Sequence, residues 1–300
     1  MIEVPEPFVR EISEREKEPG RAWLHALPDL ADDALAKWDL TLSGPTMHGA
    51  VGVAIPVRRA DETAAVLKIS FPHPGNIAEP KALAAWAGRG AVRLLERDDQ
   101  AFAMLLEKAS TYSLRDLPDV IDRVVVAGRL NRRLAVPAPA GVPPLTAVAH
   151  GWAAEIASRH RRLKSPVADR LVGRAMDTCR ELAADQPNLL VHGDLNFGNV
   201  LKGGREPWVV IDPKGWAGDP AYDAVNLLRD RWHAMAKQSD LLEALSYRLA
   251  AFADAAELDR DRVVRWVQAC AVKDALWSLE FGESSERAAI NETVAGIASS

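Results

Sequence analysis

The sequence predicts an α+β fold of two lobes, a small β-rich lobe followed by a larger, mainly helical one. Short stretches with alternating apolar and polar residues recur between residues 38 and 107, and this two-residue period is typical of strands. After Leu114 the apolar residues recur at i, i+3, i+4 and i+7, as in amphipathic helices. Strands first and helices afterwards indicate segregated elements, and 300 residues suffice for two lobes.

The chain begins with helical segments and then a glycine-containing turn. Residues 7–37 are predicted to form short helical pieces, with breaks at the proline-containing segments EPG and LPDL. Residues 38–43, WDLTLS, alternate like a strand. Gly44, Gly49 and Gly52 then indicate a flexible turn region.

The rest of the first lobe is predicted to contain four more strands and one helix. Residues 50–57 and 63–70 are strand-like and are separated by the polar RRADE turn, which indicates a hairpin. Asn76 is a candidate cap for the helix that follows, where Pro80 is tolerated only in the first turn. Residues 91–109 contain two further short strands around an Arg-Asp-Asp turn.

The second lobe is predicted to be helical, with strands only around its central motif. Residues 119–134, 146–163 and 168–185 each carry one apolar face, and the helical pattern resumes at residue 222. We therefore divide the chain into a first lobe at 1–107, which includes the N-terminal helical extension, a hinge at 108–114 and a second lobe at 115–300.

Composition excludes several classes of partner. The chain has 37 Lys and Arg against 42 Asp and Glu, a net charge of −5, and no basic block that would suit a phosphate backbone. No apolar run reaches the ~18 residues of a membrane span, and the charged N-terminus lacks a signal-peptide core. Cys179 and Cys270 lie far apart without other metal ligands, which indicates free thiols in a reducing compartment. We expect a cytoplasmic protein that is a monomer or a weak dimer, with no nucleic-acid or membrane partner.

One segment, LVHGDLNFGNVLKGGREPWVVID at 190–212, carries the chemistry. Asp194 and Asn199 lie five residues apart in a tight loop, and Asp212 follows an apolar run. Asp194 suits the acceptance of a hydroxyl proton, while Asn199 and Asp212 offer the oxygen ligands that Mg²⁺ prefers. A predicted hairpin between them brings Asn199 near Asp212. A lone loop Asp or Asn is more often a cap or turn former, but three in this order indicate phosphoryl transfer.

The first lobe supplies a cation for the same chemistry. Lys68 lies inside the apolar strand AVLKIS, where a buried charge needs a partner. Glu79 follows 11 residues later in the first turn of the predicted helix, so the pair can hold nucleotide phosphates. The alternative is an edge lysine whose amine reaches solvent. The glycine region around Gly49 can cover the phosphates, although it is not a Walker A loop because no Lys-Ser/Thr pair follows.

These motifs resemble the aminoglycoside phosphotransferase family of the protein-kinase-like fold. HGDLNFGNVL, VVIDPKGWAGDPAYD and VRLLERDDQAFAMLLEKA are most similar to its streptomycin 6-phosphotransferase and hydroxyurea phosphotransferase branch, over about residues 20–280. Asn196 stands where the family often has a second histidine. The resemblance implies a catalytic base at Asp194, magnesium ligands at Asn199 and Asp212, nucleotide contacts from Lys68 and Glu79, adenine contacts from the hinge backbone of Leu106, Glu107 and Lys108, and bracing by His192 and Asp223.

Acidic residues of the late helices are candidates for binding a cationic acceptor. Asp230, Glu280 and Glu283 could receive ammonium or guanidinium groups. For each of them a solvated helix face is the simpler interpretation. They complete the predicted site as acceptor-binding candidates.

The expected function is therefore transfer of the γ-phosphoryl group of ATP, or of GTP, to a hydroxyl of a small molecule with Mg²⁺. An aminoglycoside such as streptomycin is the acceptor that the resemblance favours. Hydroxyurea or another sugar or amino alcohol is the alternative within this class, and a catalytically idle nucleotide-binding protein is the alternative outside it. A protein kinase is disfavoured because the segment between Asp212 and Asp219 is too short for a peptide platform. No GxSxG elbow supports a hydrolase.

Overall fold

The first lobe is built on an antiparallel six-stranded sheet. We describe it from a computed structural model that covers residues 2–229, 241–281 and 291–296. The strand order is β1-β3-β4-β6-β5, with β2 paired to the free end of β3. The predicted hairpins over 50–70 and 91–109 are therefore confirmed, whereas the predicted strand at 38–43 is only two residues long. The strands are β1 (Thr41–Leu42), β2 (Met47–His48), β3 (Gly52–Arg58), β4 (Ala64–Ser70), β5 (Leu94–Asp98) and β6 (Ala103–Glu107).

The two faces of this sheet bury different residues. In β6, Ala103 and Leu105 belong to one apolar cluster, while Met104 and Leu106 belong to another, because successive side chains of a strand point to opposite faces. The first cluster lies under the N-terminal helix. The second cluster continues into the helical lobe. Lys68, between buried Leu67 and buried Ile69 of β4, points to the second side.

The N-terminal segment forms one long kinked helix, α1 (Glu6–Lys37). The backbone departs from helical geometry at Lys17, where φ is 54° and ψ is −131°, close to the break predicted at EPG. The predicted break at LPDL is wrong, because Pro28 lies inside the continuous second part of α1. Tertiary packing overrides the local preference here, since Leu27 and Ala31 on either side of it are fully buried against the sheet.

The second helix, α2 (Glu79–Trp86), follows β4. Pro80 lies in its first turn, as the sequence predicted. Asn76 does not cap it: the residue preceding α2 is Ala78, which provides no side-chain cap. The Asn76 amide instead donates to the Phe71 carbonyl at 2.8 Å and accepts from the His73 amide at 3.2 Å, so it stabilises the turn that leaves the sheet.

The second lobe consists mainly of helices around one large core. Helices α3 to α5 confirm the three amphipathic segments that the sequence predicted, and Cys179 and Cys270 are buried free thiols. Among the described residues, no helix is both long and apolar enough to cross a membrane. The helices are α3 (Val120–Leu134), α4 (Leu145–Arg162), α5 (Asp169–Ala184), α6 (Ala224–Arg229), α7 (Leu241–Ala256) and α8 (Arg260–Phe281).

Two small antiparallel ribbons of the second lobe carry the central motif. Ribbon β8–β9 contacts the first lobe through a parallel bridge between Ala91 and Val210. It also contacts the segment between the lobes, since the Ser110 amide donates to the Lys202 carbonyl at 2.9 Å. The hinge boundaries at 108–114 stay a prediction. The ribbons are β7 (Leu189–Val191) with β10 (Trp216–Gly218), and β8 (Val200–Lys202) with β9 (Trp208–Val210).

Candidate active site

Strand β7 delivers the chain into a sharp turn at Gly193. Its φ is +81°, a value that favours glycine. A side chain at this position would overlap the Trp216 indole, because β10 pairs directly with β7. The glycine thus allows the loop to turn against the neighbouring strand and present Asp194.

His192 is buried and connects the loop that begins at Gly193 to the residue after strand β9. Its Nε2 lies 3.0 Å from the Ile211 carbonyl, and its Nδ1 accepts a hydrogen bond from the Asp194 amide at 3.2 Å. A carbonyl can only accept, so these two contacts assign the neutral tautomer with the proton on Nε2. Burial lowers the pKa of His192 to about 4. The ring also stacks at 6.1 Å and 15° on Trp86 of α2.

Asp223 holds the backbone of the same turn. Its Oδ1 accepts from the Gly193 amide at 2.7 Å, and its Oδ2 accepts from the His192 amide at 3.2 Å and from Asn131 Nδ2 at 3.1 Å. The residue is 1% exposed. Burial raises its pKa to about 7 although these three donors act in the opposite direction. The structure thus places His192 and Asp223, the two predicted bracing residues, in hydrogen-bond contact with the backbone of the loop that carries Asp194.

A compact loop links Asp194 to Asn199. Asn199 Nδ2 donates to the Asp194 carbonyl at 2.9 Å and lies 3.4 Å from Oδ2 of the same residue. Asn196 caps the 3-10 turn at Phe197–Asn199, because its Oδ1 accepts from the amides of Gly198 at 2.9 Å and Asn199 at 3.2 Å. Its Nδ2 then faces Asp194 Oδ1 at 3.3 Å.

The β8–β9 ribbon brings Asn199 and Asp212 to the same end, as predicted. The Ile211 amide donates to the Asn199 carbonyl at 2.9 Å, so Asp212 follows directly after a residue bonded to Asn199. Asp212 has a φ of 56°, an uncommon conformation for a residue with a side chain. Such strain is often found at functional positions, and here it turns the carboxylate towards β4.

Lys68 joins the two lobes at this carboxylate. Its Nζ lies 2.6 Å and 2.8 Å from the two carboxylate oxygens of Glu79 and 2.6 Å from Asp212 Oδ1. Lys214 Nζ is 4.0 Å from the other Asp212 oxygen. Side-chain exposure falls from 36% for Asp212 to 15% for Lys68 and 1% for Glu79. Lys68 is thus a buried cation between two carboxylates, not an edge lysine with its amine in solvent.

The charges of this group depend on one another. Burial acts to lower the pKa of Lys68, but the carboxylates of Asp212 and Glu79 outweigh it and raise this pKa. Burial raises the pKa of Glu79 although Lys68 opposes this. For Asp212 the balance is reversed: Lys68 and Lys214 outweigh burial and lower its pKa. Asp212 is therefore anionic at neutral pH and suited to a cation.

The oxygen atoms near this group fit Mg²⁺ in type and number. The side-chain nitrogen of Asn199, Nδ2, donates to the Asp194 carbonyl. The side-chain oxygen of Asn199, Oδ1, is therefore the atom that can face a cation. Within the described ranges, no cluster of three or more His, Cys, Asp or Glu side chains forms a closed metal cage. Magnesium commonly takes only one or two protein carboxylates or amides and completes its shell with phosphates and water.

The other predicted nucleotide contacts lie in or next to strands of the first-lobe sheet. Gly49 is exposed in the turn between β2 and β3. Leu106 is buried in β6, and Lys108 is exposed just after it. Glu107 carries a contact that the sequence did not reveal: its carboxylate accepts from the Arg93 amide at 3.0 Å and pairs with Arg205 at 3.1 Å.

The predicted acceptor-binding acids are less well supported. Glu280 pairs with Arg159 and Arg162 of α4, so a cationic acceptor would have to compete with two guanidinium groups for it. Asp230 and Glu283 lie outside the residues that the structure describes. Of the three acids, Glu280 is the one that the structure describes, and it is engaged by arginines of α4.

Three residues near the site carry no predicted role although they contact it. In the sequence, Asn196 differs from a family pattern but shows no role, whereas in the structure it forms hydrogen bonds with Asp194, Gly198 and Asn199. Arg115 Nη2 lies 3.4 Å from Asn196 Oδ1, and Lys214 approaches Asp212. Arg115 lies 81 residues before Asn196, and no local pattern could have paired them.

A model of one protein family matches most of the chain. Its description is aminoglycoside/hydroxyurea antibiotic resistance kinase, and it matches residues 37–282. The chain belongs to this family. A streptomycin 6-kinase of Streptomyces glaucescens is 35% identical over 95% of this chain and 94% of that protein. A hydroxyurea phosphotransferase of Kitasatospora aureofaciens is 36% identical over 94% of this chain and 82% of that protein.

Solved structures confirm the bilobal kinase fold. An ethanolamine kinase of Plasmodium vivax superposes with a TM-score of 0.55 at 12% identity, over 98% of this chain and 95% of that one. A macrolide 2′-phosphotransferase of Brachybacterium faecium gives 0.52 at 18% identity, over 92% and 99%. The chain therefore has the protein-kinase-like fold with a small sheet lobe and a mainly helical lobe. Through its family it is a small-molecule phosphotransferase that acts on hydroxyl groups.

Proposed function

We propose that this enzyme transfers the γ-phosphoryl group of ATP to a hydroxyl of an aminoglycoside, with streptomycin as the leading acceptor. The observation that carries the proposal is the contact of Lys68 with both Glu79 and Asp212, beside the Asp194–Asn199 loop. This arrangement offers one cation for phosphates and two oxygen ligands for Mg²⁺ next to a carboxylate base.

At the nucleotide end, Lys68 would contact the phosphates while Glu79 keeps its amine in place. Mg²⁺ bound by Asn199 and Asp212 would neutralise charge on the transferred group. Asp212 contacts Lys68 directly at 2.6 Å, so it would have to share its charge between the amine and the metal. Its second oxygen, 4.0 Å from Lys214, is the more available one.

At the acceptor end, Asp194 would orient the hydroxyl and receive its proton. The acceptor oxygen forms a bond to the γ-phosphorus while the bond from that phosphorus to the leaving oxygen of ADP breaks. The proton moves to the Asp194 carboxylate and then to solvent. The bonds from Asn196 and Asn199 hold Asp194 in one orientation, which is the contribution that positioning makes to such reactions.

Streptomycin is favoured over hydroxyurea by the extent of likeness. The two relatives are almost equally identical to this chain, but the streptomycin 6-kinase is covered over 94% of its length and the hydroxyurea phosphotransferase over 82%. The net charge of −5 suits a cationic acceptor. Hydroxyurea remains the second candidate because its phosphotransferase is 36% identical.

The test is ADP release in the presence of Mg²⁺ with ATP or GTP and a panel of acceptors. The panel contains streptomycin, other aminoglycosides, hydroxyurea and amino sugars, and mass spectrometry identifies the phosphorylated product. We expect stimulation by streptomycin that is lost in Asp194→Asn and kept in Asp177→Asn, a matched exposed aspartate on α5. Stimulation by hydroxyurea alone would support the second candidate. Nucleotide binding with no stimulation by any acceptor would support a binding-only protein.

A further inference from the structure

The helix α1 lies almost entirely outside the region that defines the family. The match to the family model begins at residue 37, where α1 ends. Yet α1 is packed firmly on the first lobe, since Phe8 and Ile12 are fully buried in the cluster that includes strands β3 and β4. Its first part reaches the glycine turn, by which we mean residues 48–52.

Two contacts attach this part of α1 to the glycine turn. Arg15 Nη2 donates to the Ala50 carbonyl at 2.6 Å. The Phe8 ring lies 5.4 Å from the His48 ring. Arg15 Nε is held at 2.7 Å by Glu16, so the guanidinium is oriented by its neighbour. The turn itself is closed by the Gly49 amide, which donates to the Gly52 carbonyl at 2.9 Å.

The second part of α1 is connected to the same turn through Phe71. Trp23 meets Phe71 edge to face at 5.8 Å. The Phe71 amide in turn donates to the Val51 carbonyl at 2.7 Å. Successive carbonyls of the glycine turn, those of Ala50 and Val51, therefore accept hydrogen bonds from α1 and from a residue packed on α1.

The kink in α1 makes this double attachment possible. Lys17 has a φ of 54°, and Gly20 follows three residues later. A Cβ at position 20 would lie 2.8 Å from the Ile12 carbonyl oxygen and 2.7 Å from Glu16 Cβ. Because Gly20 has no side chain, the backbone at this position can approach Ile12 and Glu16 closely, and α1 can bend here. The bend directs Arg15 to the glycine turn while the rest of α1 covers the sheet.

We propose that α1 is a brace that holds the glycine turn in one position, and that Arg15 is a positioning residue for nucleotide binding. The proposal rests on the proposed function and on the sequence prediction that the glycine region around Gly49 covers the nucleotide phosphates. A turn that is already ordered loses less conformational entropy when the nucleotide binds. The brace therefore lowers the KM for ATP and leaves the phosphoryl-transfer step unchanged.

The test compares Arg15→Ala and Arg15→Lys with Arg21→Ala. Arg21 is a matched control, because it lies on the same helix, is exposed and pairs with Glu18 of α1 itself. Steady-state kinetics give kcat and the KM for ATP. Amide hydrogen exchange of peptides covering residues 44–52, without any ligand, reports the mobility of the turn. The β3–β4 turn, where the Glu62 amide donates to the Arg59 carbonyl at 2.9 Å, serves as an internal reference.

In Arg15→Ala we expect faster exchange at 44–52 with no change at the β3–β4 turn. The KM for ATP should rise about three- to tenfold, the range that one net hydrogen bond corresponds to, with kcat within about twofold. Arg15→Lys should restore part of the effect because it keeps a donor, and Arg21→Ala should match the wild type.

Unchanged exchange in Arg15→Ala would overturn the brace, as would a fall in kcat at constant KM or an equal rise of KM in Arg21→Ala. The exchange experiment needs no substrate, so it separates the two proposals. The Arg15 variants alone could show faster exchange at residues 44–52 while the wild type transfers no phosphoryl group from ATP or GTP to any acceptor. That outcome would support the brace and refute the proposed function.

Discussion

Removal of the Lys68 amine should cost stability and activity for different reasons, and a double variant can separate them. Lys68→Met keeps the volume of the side chain but leaves Glu79, which is 1% exposed, without the cation that it contacts at 2.6 Å and 2.8 Å. It also leaves Glu79 and Asp212 as two carboxylates without the amine between them. Lys68→Met/Glu79→Leu removes both members of the buried pair and fills the space with apolar atoms.

The expected magnitude follows from the burial of the pair. Loss of one partner of a buried pair costs about 3–5 kcal/mol, and the 15% exposure of Lys68 places the single variant near the lower end, about 3 kcal/mol. At roughly 2 °C per kcal/mol for a chain of this length, Tm should fall by about 6 °C. The double variant should recover most of this loss, because apolar replacement of a buried ion pair is often neutral.

The loss of stability in Lys68→Met should also depend on pH. Burial already raises the pKa of Glu79 above its ordinary 4.5, and loss of Lys68 raises this pKa further. A raised carboxyl pKa in the folded state means that stability is lost as the pH rises. The difference in Tm between the wild type and Lys68→Met should therefore be larger at pH 8 than at pH 5.

Thermal unfolding and ADP release, measured on the same preparations, separate the effect of the Lys68 variants on stability from their effect on activity. Both variants should lose activity by about 10²–10³, the range seen for loss of one electrostatic contact to a transferring group. Lys202→Met, an exposed strand lysine, should resemble the wild type. A double variant no more stable than Lys68→Met would refute the account of the buried pair, and full activity of either variant would refute the role of Lys68.

Three further outcomes are expected around the catalytic loop. Gly193→Ala should lose about 3 kcal/mol of unfolding free energy, because its φ of +81° and the Trp216 indole leave no room for a side chain; a stable, active variant would show that the loop can shift. Asn196→Ser keeps a capping oxygen but loses the amide that faces Asp194 at 3.3 Å, so kcat should fall about tenfold with little change in Tm, and an unchanged kcat would contradict this role. Burial raises the pKa of Asp223 to about 7 from an ordinary 3.8, so the folded protein binds this proton more tightly and stability falls as the pH rises from about 4 to about 7. Asp223→Asn should flatten that slope in thermal unfolding, and an identical slope in both proteins would exclude Asp223 as its source.

Periodicity predicted the elements well where burial is one-sided. The helices α3 to α5 each bury one face, which leaves its mark at a period of 3.6 residues, and buried and partly buried residues alternate from Ala65 to Ile69 of β4 at a period of 2. Prediction was wrong where tertiary contacts outweighed a local preference. Pro28 remains inside α1 because its neighbours are buried against the sheet, and Asn76 bonds to the preceding turn instead of capping α2.

The sequence by itself determined the chemistry, because phosphoryl transfer demands particular residue types in a particular order. Asp194, Asn199 and Asp212 lie on a short loop and a ribbon, so their proximity follows from local geometry. The pairing of Lys68 with Glu79 could be predicted for the same reason, since only 11 residues separate them in the sequence.

Only the tertiary structure decided which distant residues contact one another in and around the candidate site. The contact of Lys68 with Asp212 spans 144 residues, that of Arg115 with Asn196 spans 81, and that of Arg15 with Ala50 spans 35. It also showed that Glu280 is already paired with two arginines. Such contacts depend on how whole elements pack against one another, and packing over these separations leaves no periodic trace in the sequence.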